Sequence, residues 1–132
     1  MSYAQFGLIQ ASDFNTLVGG NPTATANTLN ATWATGSGTA GYGQTAVANV
    51  AAGNTVLATS WNALVSNTAS AASHQGSSIT SVTAPTAGTT VTYLSAVPTN
   101  LQTIYTNRLN AATQSGTTAN TATRGTTWTT AI

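Results

Sequence analysis

Apolar positions recur at helical spacing in two stretches, Ile9–Val18 and Val56–Val65, which repeat one pattern 47 residues apart. Each stretch places Ala, a Ser or Thr, an aromatic residue, Asn, Leu and Val at matching positions. The aromatic, Leu and Val side chains lie three and four residues apart, so they share one face of a helix. The pattern predicts two helices, each with one buried face. The predicted N-caps of these helices are Ser12 and Thr59. Either an internal duplication or the independent use of the same local structural motif explains the repeat.

Further helical segments are predicted after each repeat. Gly19–Pro22 breaks the first helix, and Ala24–Ala34 restarts it with two large apolar residues four positions apart. The second helix runs on to Gly76, which suits a C-cap. Pro98 suits the first turn of a third main helix. The apolar stripe of that helix consists of Leu101, Ile104, Tyr105, Leu109 and Ala112.

Two short segments have the alternation that is typical of strands. Ser78–Val82 and Thr89–Tyr93 alternate Ser or Thr with β-branched and aromatic residues. Pro85–Gly88 lies between them and has the composition of a turn. We therefore expect a small β-hairpin, and an α+β chain of about three helices with short β-hairpins.

The remaining segments predict one domain followed by an arm. Gly36–Gly43 is rich in glycine and is typical of a flexible loop or hinge. Residues 116–132 are rich in Thr and too poor in apolar groups to fold alone. We expect a helical and β assembly domain over residues 1–115 and an extended C-terminal arm over residues 116–132, anchored on a neighbouring subunit.

The apolar core is thin for the length of the chain. Leu, Ile, Val and Phe supply 22 of the 132 residues, below the roughly 20% at which self-sufficient cores become doubtful. We expect the chain to complete its burial at the interfaces of a homo-oligomer, because small domains bury too little surface alone. The predicted core consists of Trp61, Leu64, Val65, Leu101, Ile104, Tyr105 and Leu109.

Charge is nearly absent from the chain. Asp13 is the single acid, Arg108 and Arg124 are the two bases, and charged residues make up 2% of the sequence. Net charge normally keeps soluble proteins apart, so this composition favours a surface that packs against neighbours. Two arginines neutralise too few phosphates for nucleic-acid binding. No apolar run approaches the roughly 20 residues of a membrane span, and the first residues lack the pattern of a secretory signal.

Catalysis and metal binding find little support in the sequence. Asp13, His74 and a serine compose a triad on paper, but no nucleophile motif accompanies them. Asp13 suits the first turn of a helix and His74 suits a helix end, so both have structural explanations. A metal site needs more ligands than one His and one carboxylate, so we expect a non-enzymatic protein without a cofactor. Asn30-Ala31-Thr32 matches a glycosylation sequon, which we expect to be a chance match.

Assembly contacts are expected at both arginines and in the arm. Arg108 and Arg124 share a single possible intrachain carboxylate, that of Asp13. One arginine is therefore expected to bind carbonyl groups or the chain terminus of a neighbour, which the planar guanidinium does well. Trp128 and Ile132 are the large apolar residues of the arm, and we expect both to contact a neighbouring subunit.

Several segments together resemble a known class of virion protein. They are Ile9–Leu17, Gly41–Gln44, Val56–Val65, His74–Gly76 and Asn107–Asn110. Over most of residues 5–112 the chain resembles small structural proteins of tailed-phage virions, particularly of phages that infect cyanobacteria and other marine bacteria. The resemblance implies a virion component that is made in the host cytoplasm. Those proteins often carry more Asp, Glu and Lys than this chain does.

These observations predict a non-enzymatic structural protein of a phage virion. It would self-assemble into a homo-oligomeric appendage or tube, such as a tail fibre, neck or baseplate component, with itself and other virion proteins as partners. A capsid decoration protein is the structural alternative, and it would bind a coat lattice instead of itself. A glycan-binding module for receptor recognition, built on Trp33 or Tyr42 near the glycine-rich loop, is the alternative from a different class.

Overall fold

The described part of the chain contains four helices, and most of the remaining described residues form neither helix nor strand. The computed structural model describes residues 10–20, 25–34, 41–89 and 94–112. In chain order the helices are α1 (Ala11–Val18), α2 (Leu29–Trp33), α3 (Ala58–Gln75) and α4 (Ala96–Thr106). No β-strand occurs within the described ranges. The fold is therefore helical, and the expected α+β class is wrong.

The predicted β-hairpin is not formed in the part of the chain that the structure describes. Residues 77–86 form neither helix nor strand, and the side chain of Asn100 on α4 bonds both backbone hydrogen-bonding groups of Thr80. An amide side chain thus supplies the pair of bonds that a neighbouring strand would supply. The last four residues of the second predicted strand, Thr89–Tyr93, lie outside the described residues.

Helices α1 and α3 each begin with an N-cap two residues before the one that the sequence predicts. Gln10 caps α1, because its backbone N–H donates to Asp13 Oδ2 at 2.7 Å and completes a capping box. Leu57 precedes α3 in an extended conformation. The end of α3 agrees with the sequence, since Gly76 adopts the left-handed conformation with φ of 71°.

Asn27 limits the length of α2. The sequence predicts a helix over Ala24–Ala34, but Asn27 has φ of 63°, in the left-handed region that interrupts a right-handed helix. The helix begins only after Thr28, which precedes it in an extended conformation. Residues 21–24 lie outside the described residues. What remains is a short helix of five residues.

The helices enclose an apolar core. Phe14 of α1 and Trp61 of α3, which occupy the same position in the two repeats, meet edge to face with ring centroids 5.4 Å apart. Aromatic pairs prefer this geometry, which contributes about 0.5–1.5 kcal/mol beyond simple burial. The repeat therefore places equivalent side chains against each other in the core. The largest buried apolar side chains are Phe14, Leu17, Val18, Leu29, Trp61, Leu64, Leu101 and Ile104.

The residues predicted for the core occupy three kinds of environment. The fully buried ones are Trp61, Leu64, Leu101 and Ile104. Val65 and Tyr105 are half-buried. The prediction is wrong for Leu109, which is 76% exposed. The reason is that α4 ends at Thr106 and residues 107–109 form a turn, so the helical stripe stops before it reaches Leu109.

Asparagine side chains hold the extended segments against the helices. In each case the side-chain amide donates to a backbone C=O, and Oδ1 accepts from the backbone N–H of the same residue; we call this pair of bonds an asparagine clamp. It reproduces the exchange of bonds between directly opposed residues of an antiparallel ladder. The clamped pairs in the described residues, with distances of 2.8–3.0 Å, are Asn15 with Val50, Asn30 with Val47, and Asn100 with Thr80.

Candidate functional site

An open cavity of about 380 Å³ lies beside α2 and α3. Its walls come from the end of α2, from the extended segment at residues 42–44, and from the last two turns of α3. The volume falls within the range of about 300–1,000 Å³ that is typical of small-molecule sites. The lining residues are Trp33, Tyr42, Gln44, Ser70, Ala71 and His74.

Backbone hydrogen bonds attach the extended segment to the C-terminus of α2. The N–H of Tyr42 donates to the C=O of Thr32 at 2.8 Å, and the N–H of Gln44 donates to the C=O of Trp33 at 2.9 Å. Carbonyl groups in the last turn of a helix have no intrahelical partner, so these bonds complete the helix end. They also bring Trp33 and Tyr42 to the same cavity, although the glycine-rich loop separates them in the sequence.

Side-chain hydrogen bonds fix both aromatic rings. The indole Nε1–H of Trp33 donates to the C=O of Thr45 at 3.1 Å. The hydroxyl of Tyr42 donates to the C=O of Arg108 at 3.2 Å. The Tyr42 ring also meets the imidazole of His74 edge to face, with ring centroids 4.8 Å apart. Trp33 and Tyr42 are half-buried, so each exposes part of its side chain while its polar atom is engaged elsewhere.

The polar groups of the cavity are neutral side chains together with an imidazole. Gln44, Ser70 and His74 are exposed, and their amide, hydroxyl and imidazole groups donate and accept hydrogen bonds. Arg108 is the one Arg or Lys of the described residues, and its Nη1–H donates to the C=O of Tyr105 at 2.7 Å. The guanidinium carbon lies 4.2 Å from the centre of the Tyr105 ring. The cavity therefore combines aromatic surface with hydrogen-bonding groups, and its described lining residues include no Arg, Lys or carboxylate.

Asp13 and His74 have separate local partners. Asp13 is 3% exposed and accepts the backbone N–H of Gln10 at the start of α1. His74 lies in the last turn of α3, against Tyr42, and its C=O accepts the N–H of Ala112 at 2.8 Å. Within the described ranges, no three His, Cys, Asp or Glu side chains are grouped so that they could hold a metal ion. Nor does any described helix combine the length and the apolar character needed to cross a membrane.

Of the predicted assembly contacts, Arg108 lies among the described residues. It is half-buried, and its guanidinium is held by Tyr105 at the end of α4. The Asp13 carboxylate, expected as a possible partner, belongs instead to the capping box of α1. The contacts that lie outside the described residues are Arg124, Trp128 and Ile132. Residues 113–132, which include the predicted arm, and residues 35–40 of the glycine-rich region also lie outside.

A second cavity, of about 260 Å³, follows the extended segment at residues 79–82. Its walls are the adjoining faces of α3 and α4. Along this segment Ile79 and Val82 are half-buried, while Ser81 and Thr83 are exposed. The backbone groups of Ser81 and Thr83 make no hydrogen bond within the described part of the chain. The lining residues are Val65, Thr68, Ala69, Ile79, Thr80, Ser81, Val82, Val97 and Asn100.

The asparagine of the glycosylation sequon is buried and makes hydrogen bonds within the fold. Asn30 is 1% exposed, and its Nδ2 donates to the C=O of Gly19 at 3.1 Å and to the C=O of Val47 at 2.9 Å. An amide nitrogen has two hydrogens, and both are used here. A sugar attached to Asn30 is therefore incompatible with this structure.

Sequence reasoning singled out Trp33 and Tyr42, and His74 in other roles, but missed Gln44, Ser70 and Ala71 of the cavity and the asparagine clamps. A usable signal for the clamps exists, because asparagine is a poor residue for a helix interior. Asn15, Asn30 and Asn100 all lie within helices beside large apolar residues. A buried amide needs hydrogen-bond partners, so such positions point to a segment packed against the helix.

Comparisons of the chain with protein-family models, with curated proteins and with solved structures found no match.

Proposed function

We propose that the chain is a non-enzymatic structural protein of a phage virion that assembles with copies of itself into an appendage or tube. The observation that carries the proposal is the extended segment at residues 77–84, which the clamp of Asn100 ties to α4. Soluble proteins usually protect exposed edges with charged side chains, especially Lys, because unpaired edges recruit other chains. This segment has no charged residue, so it is suited to pair with a segment of a neighbouring copy.

Exposed apolar side chains support the same proposal. Leu57 is 60% exposed and Leu109 is 76% exposed, in a chain with few large apolar residues overall. The apolar cavity beside residues 79–82 adds further surface that a neighbour would cover. Burial of such surface stabilises an interface by about 25 cal/mol per Å². The virion setting rests on the resemblance of the repeats and of the short segments around Tyr42, His74 and Arg108.

The proposal is tested on the purified full-length chain by negative-stain electron microscopy and by light-scattering mass over a dilution series. We expect filaments, tubes or a discrete oligomer that persists on dilution. The variant Ser81→Lys places a charge on the exposed edge and is expected to lower the mass at every concentration. Ser66→Lys is the matched control, because Ser66 is exposed on α3 outside the extended segment.

The outcomes separate the proposal from its structural alternative. A folded monomer at all concentrations contradicts self-assembly. If that monomer binds purified capsids, the capsid-decoration alternative replaces the proposal. If Ser81→Lys and Ser66→Lys assemble equally well, residues 77–84 do not form the interface, and the observation that carries the proposal is lost.

A further inference from the structure

We propose that the cavity lined by Trp33, Tyr42 and His74 binds one neutral pyranose ring of a saccharide. This inference is independent of self-assembly, because the cavity is formed by residues of one chain. Its ligand class follows from three features of the site: fixed aromatic surface, hydrogen-bonding groups around it with no Arg, Lys or carboxylate among the described lining residues, and a volume suited to one ring.

The aromatic surface is held in place before any ligand arrives. The indole N–H of Trp33 is bonded to Thr45, and the hydroxyl of Tyr42 is bonded to Arg108, so neither ring is free to turn away. Both side chains nevertheless remain partly exposed at the cavity. A pyranose has an apolar face of C–H groups, which packs on an exposed aromatic ring. Because the rings are already fixed, ligand binding costs little side-chain conformational entropy. This lower cost favours binding of a ligand that makes few contacts.

Hydrogen-bonding donors and acceptors surround this surface. Gln44, Ser70 and His74 contribute an amide, a hydroxyl and an imidazole that are exposed to solvent. The Gln44 amide already donates once, from Nε2 to the C=O of Tyr42 at 3.2 Å, which orients it and leaves its other bonding capacity for a ligand. Saccharide hydroxyl groups both donate and accept, so they match groups of this kind. The result is an apolar floor for a ring with polar groups beside it, the usual composition of a small-molecule site.

Charge and size exclude competing ligand classes. Phosphate and carboxylate groups are usually bound by Arg or Lys, and none of the described residues that line the cavity is an Arg or Lys. The guanidinium of Arg108 is engaged with Tyr105. The volume of about 380 Å³ lies at the low end of the range for small-molecule sites, which suits one ring of a chain rather than several.

The test follows the three tryptophan indole N–H resonances of the full-length protein by proton–nitrogen NMR during titration with glucose, galactose, mannose and N-acetylglucosamine. The Trp33 resonance, assigned by its loss in Trp33→Phe, is expected to shift with at least one of these sugars, with a Kd of about 1 mM. The resonance of Trp61, which is buried in the core, is expected to stay in place. Because the ligand is neutral, the Kd should not change with added NaCl.

A matched pair of variants locates the site. Ser70→Leu fills the cavity from α3 and is expected to weaken binding by more than about tenfold. Ser73→Leu places the same side chain on an exposed position of α3 outside the lining, and should bind like the original chain. No shift of the Trp33 resonance with any of the sugars overturns the proposal. So does a shift that persists in Ser70→Leu, or tighter binding of galacturonate or adenosine than of every neutral sugar.

Discussion

Asn30 uses its side-chain oxygen and both of its amide hydrogens within the fold. Nδ2 donates to Gly19 and Val47, and Oδ1 accepts the N–H of Val47 at 3.0 Å. Asn15 and Asn100 make the same two-bond clamp on Val50 and Thr80, so the device recurs on three helices of the described residues. A carboxamide matches the backbone because it carries a donor and an acceptor side by side, as a peptide group does. The carboxamide makes these hydrogen bonds without carrying a charge, and the chain has almost no charged residues.

Replacement of Asn30 tests how much a clamp contributes. Asn30→Ala is expected to lower the free energy of unfolding by about 2–4 kcal/mol, because it leaves backbone groups of Gly19 and Val47 without partners. Urea denaturation measures the change. Asn62→Ala is the control, since Asn62 is exposed on α3 at the position that matches Asn15 in the repeat, and its change should stay within about 0.5 kcal/mol. Equal losses in the two variants would show that the clamp contributes nothing of its own.

Thr32 presents the opposite situation, a buried hydroxyl without a partner. Its Oγ1 makes no hydrogen bond within the described residues, and the residue is fully buried. Thr32→Val keeps the shape and removes the hydroxyl, so we expect it to raise the unfolding free energy by about 1 kcal/mol. In the control Thr68→Val, the lost hydroxyl donates to the C=O of Leu64 at 2.7 Å, and no gain is expected. The urea midpoints of the two variants give the comparison, and a loss of stability in Thr32→Val would be the contrary result.

The junction between α1 and α2 depends on the conformation of Gly19. This residue ends α1 with φ of 79° and ψ of 161°, a region that is essentially restricted to glycine. A Cβ atom at this position would lie 2.8 Å from Cβ of Thr28, the residue that precedes α2. The close approach of Gly19 and Thr28 is therefore part of how the two helices are joined.

Gly19→Ala is expected to lower the unfolding free energy by about 3 kcal/mol, because it adds a steric clash to an unfavourable backbone conformation. Gly53→Ala is the matched control. Gly53 also has a positive φ, of 85°, but a Cβ there meets no atom within 4 Å, so we expect a cost of about 1 kcal/mol. Thermal unfolding of both variants gives the comparison. Similar melting temperatures would mean that the contact with Thr28 is relieved at no cost.

Periodicity predicted the long helices well and the hydrogen-bonding partners of the extended segments badly. The repeat and Gly76 indicated α3, and the stripe after Pro98 indicated α4, because these signals are local. The end of α4 was missed: residues 107–109 form a turn in which the N–H of Asn110 donates to the C=O of Asn107 at 2.8 Å. Alternation at residues 78–82 predicted a strand, but these residues form neither helix nor strand, and alternation does not say whether a strand or a side chain completes the hydrogen bonds of a backbone.

In the candidate site too, the sequence indicates individual residues but not the contacts between residues that are distant in the chain. Trp33 and Tyr42 were recognisable as large aromatics near a glycine-rich loop, in a chain with few of them. Their meeting with His74 depends on the packing of the extended segment against α2 and α3, which is a tertiary event. No spacing rule connects His74 or Ser70 to Trp33, so the cavity became visible only in the folded structure.

For the whole molecule, the near absence of charge and the asparagine-clamped segments have the same consequence: both favour contact with a second copy. Clamps satisfy selected backbone groups and leave others, such as those of Ala48, Asn49 and Ser81, without a hydrogen bond in the described part of the chain. These three residues are exposed. In a highly charged protein, repulsion would oppose the approach of a second copy, but here it is weak at any salt concentration. Such a surface suits the neutral contacts that the proposed self-assembly requires.

Amide hydrogen exchange, measured by NMR or mass spectrometry at low and at high protein concentration, separates amides bonded by the asparagine clamps from amides that a neighbouring copy would cover. The amides of Val47, Val50 and Thr80, which donate to asparagine Oδ1 atoms, are expected to be protected at both concentrations. The amide of Ser81 is expected to exchange freely in the dilute protein and to become protected when copies assemble. If the clamped amides exchange as fast as Ser81 in dilute protein, or if Ser81 stays unprotected in the assembled state, the account is contradicted.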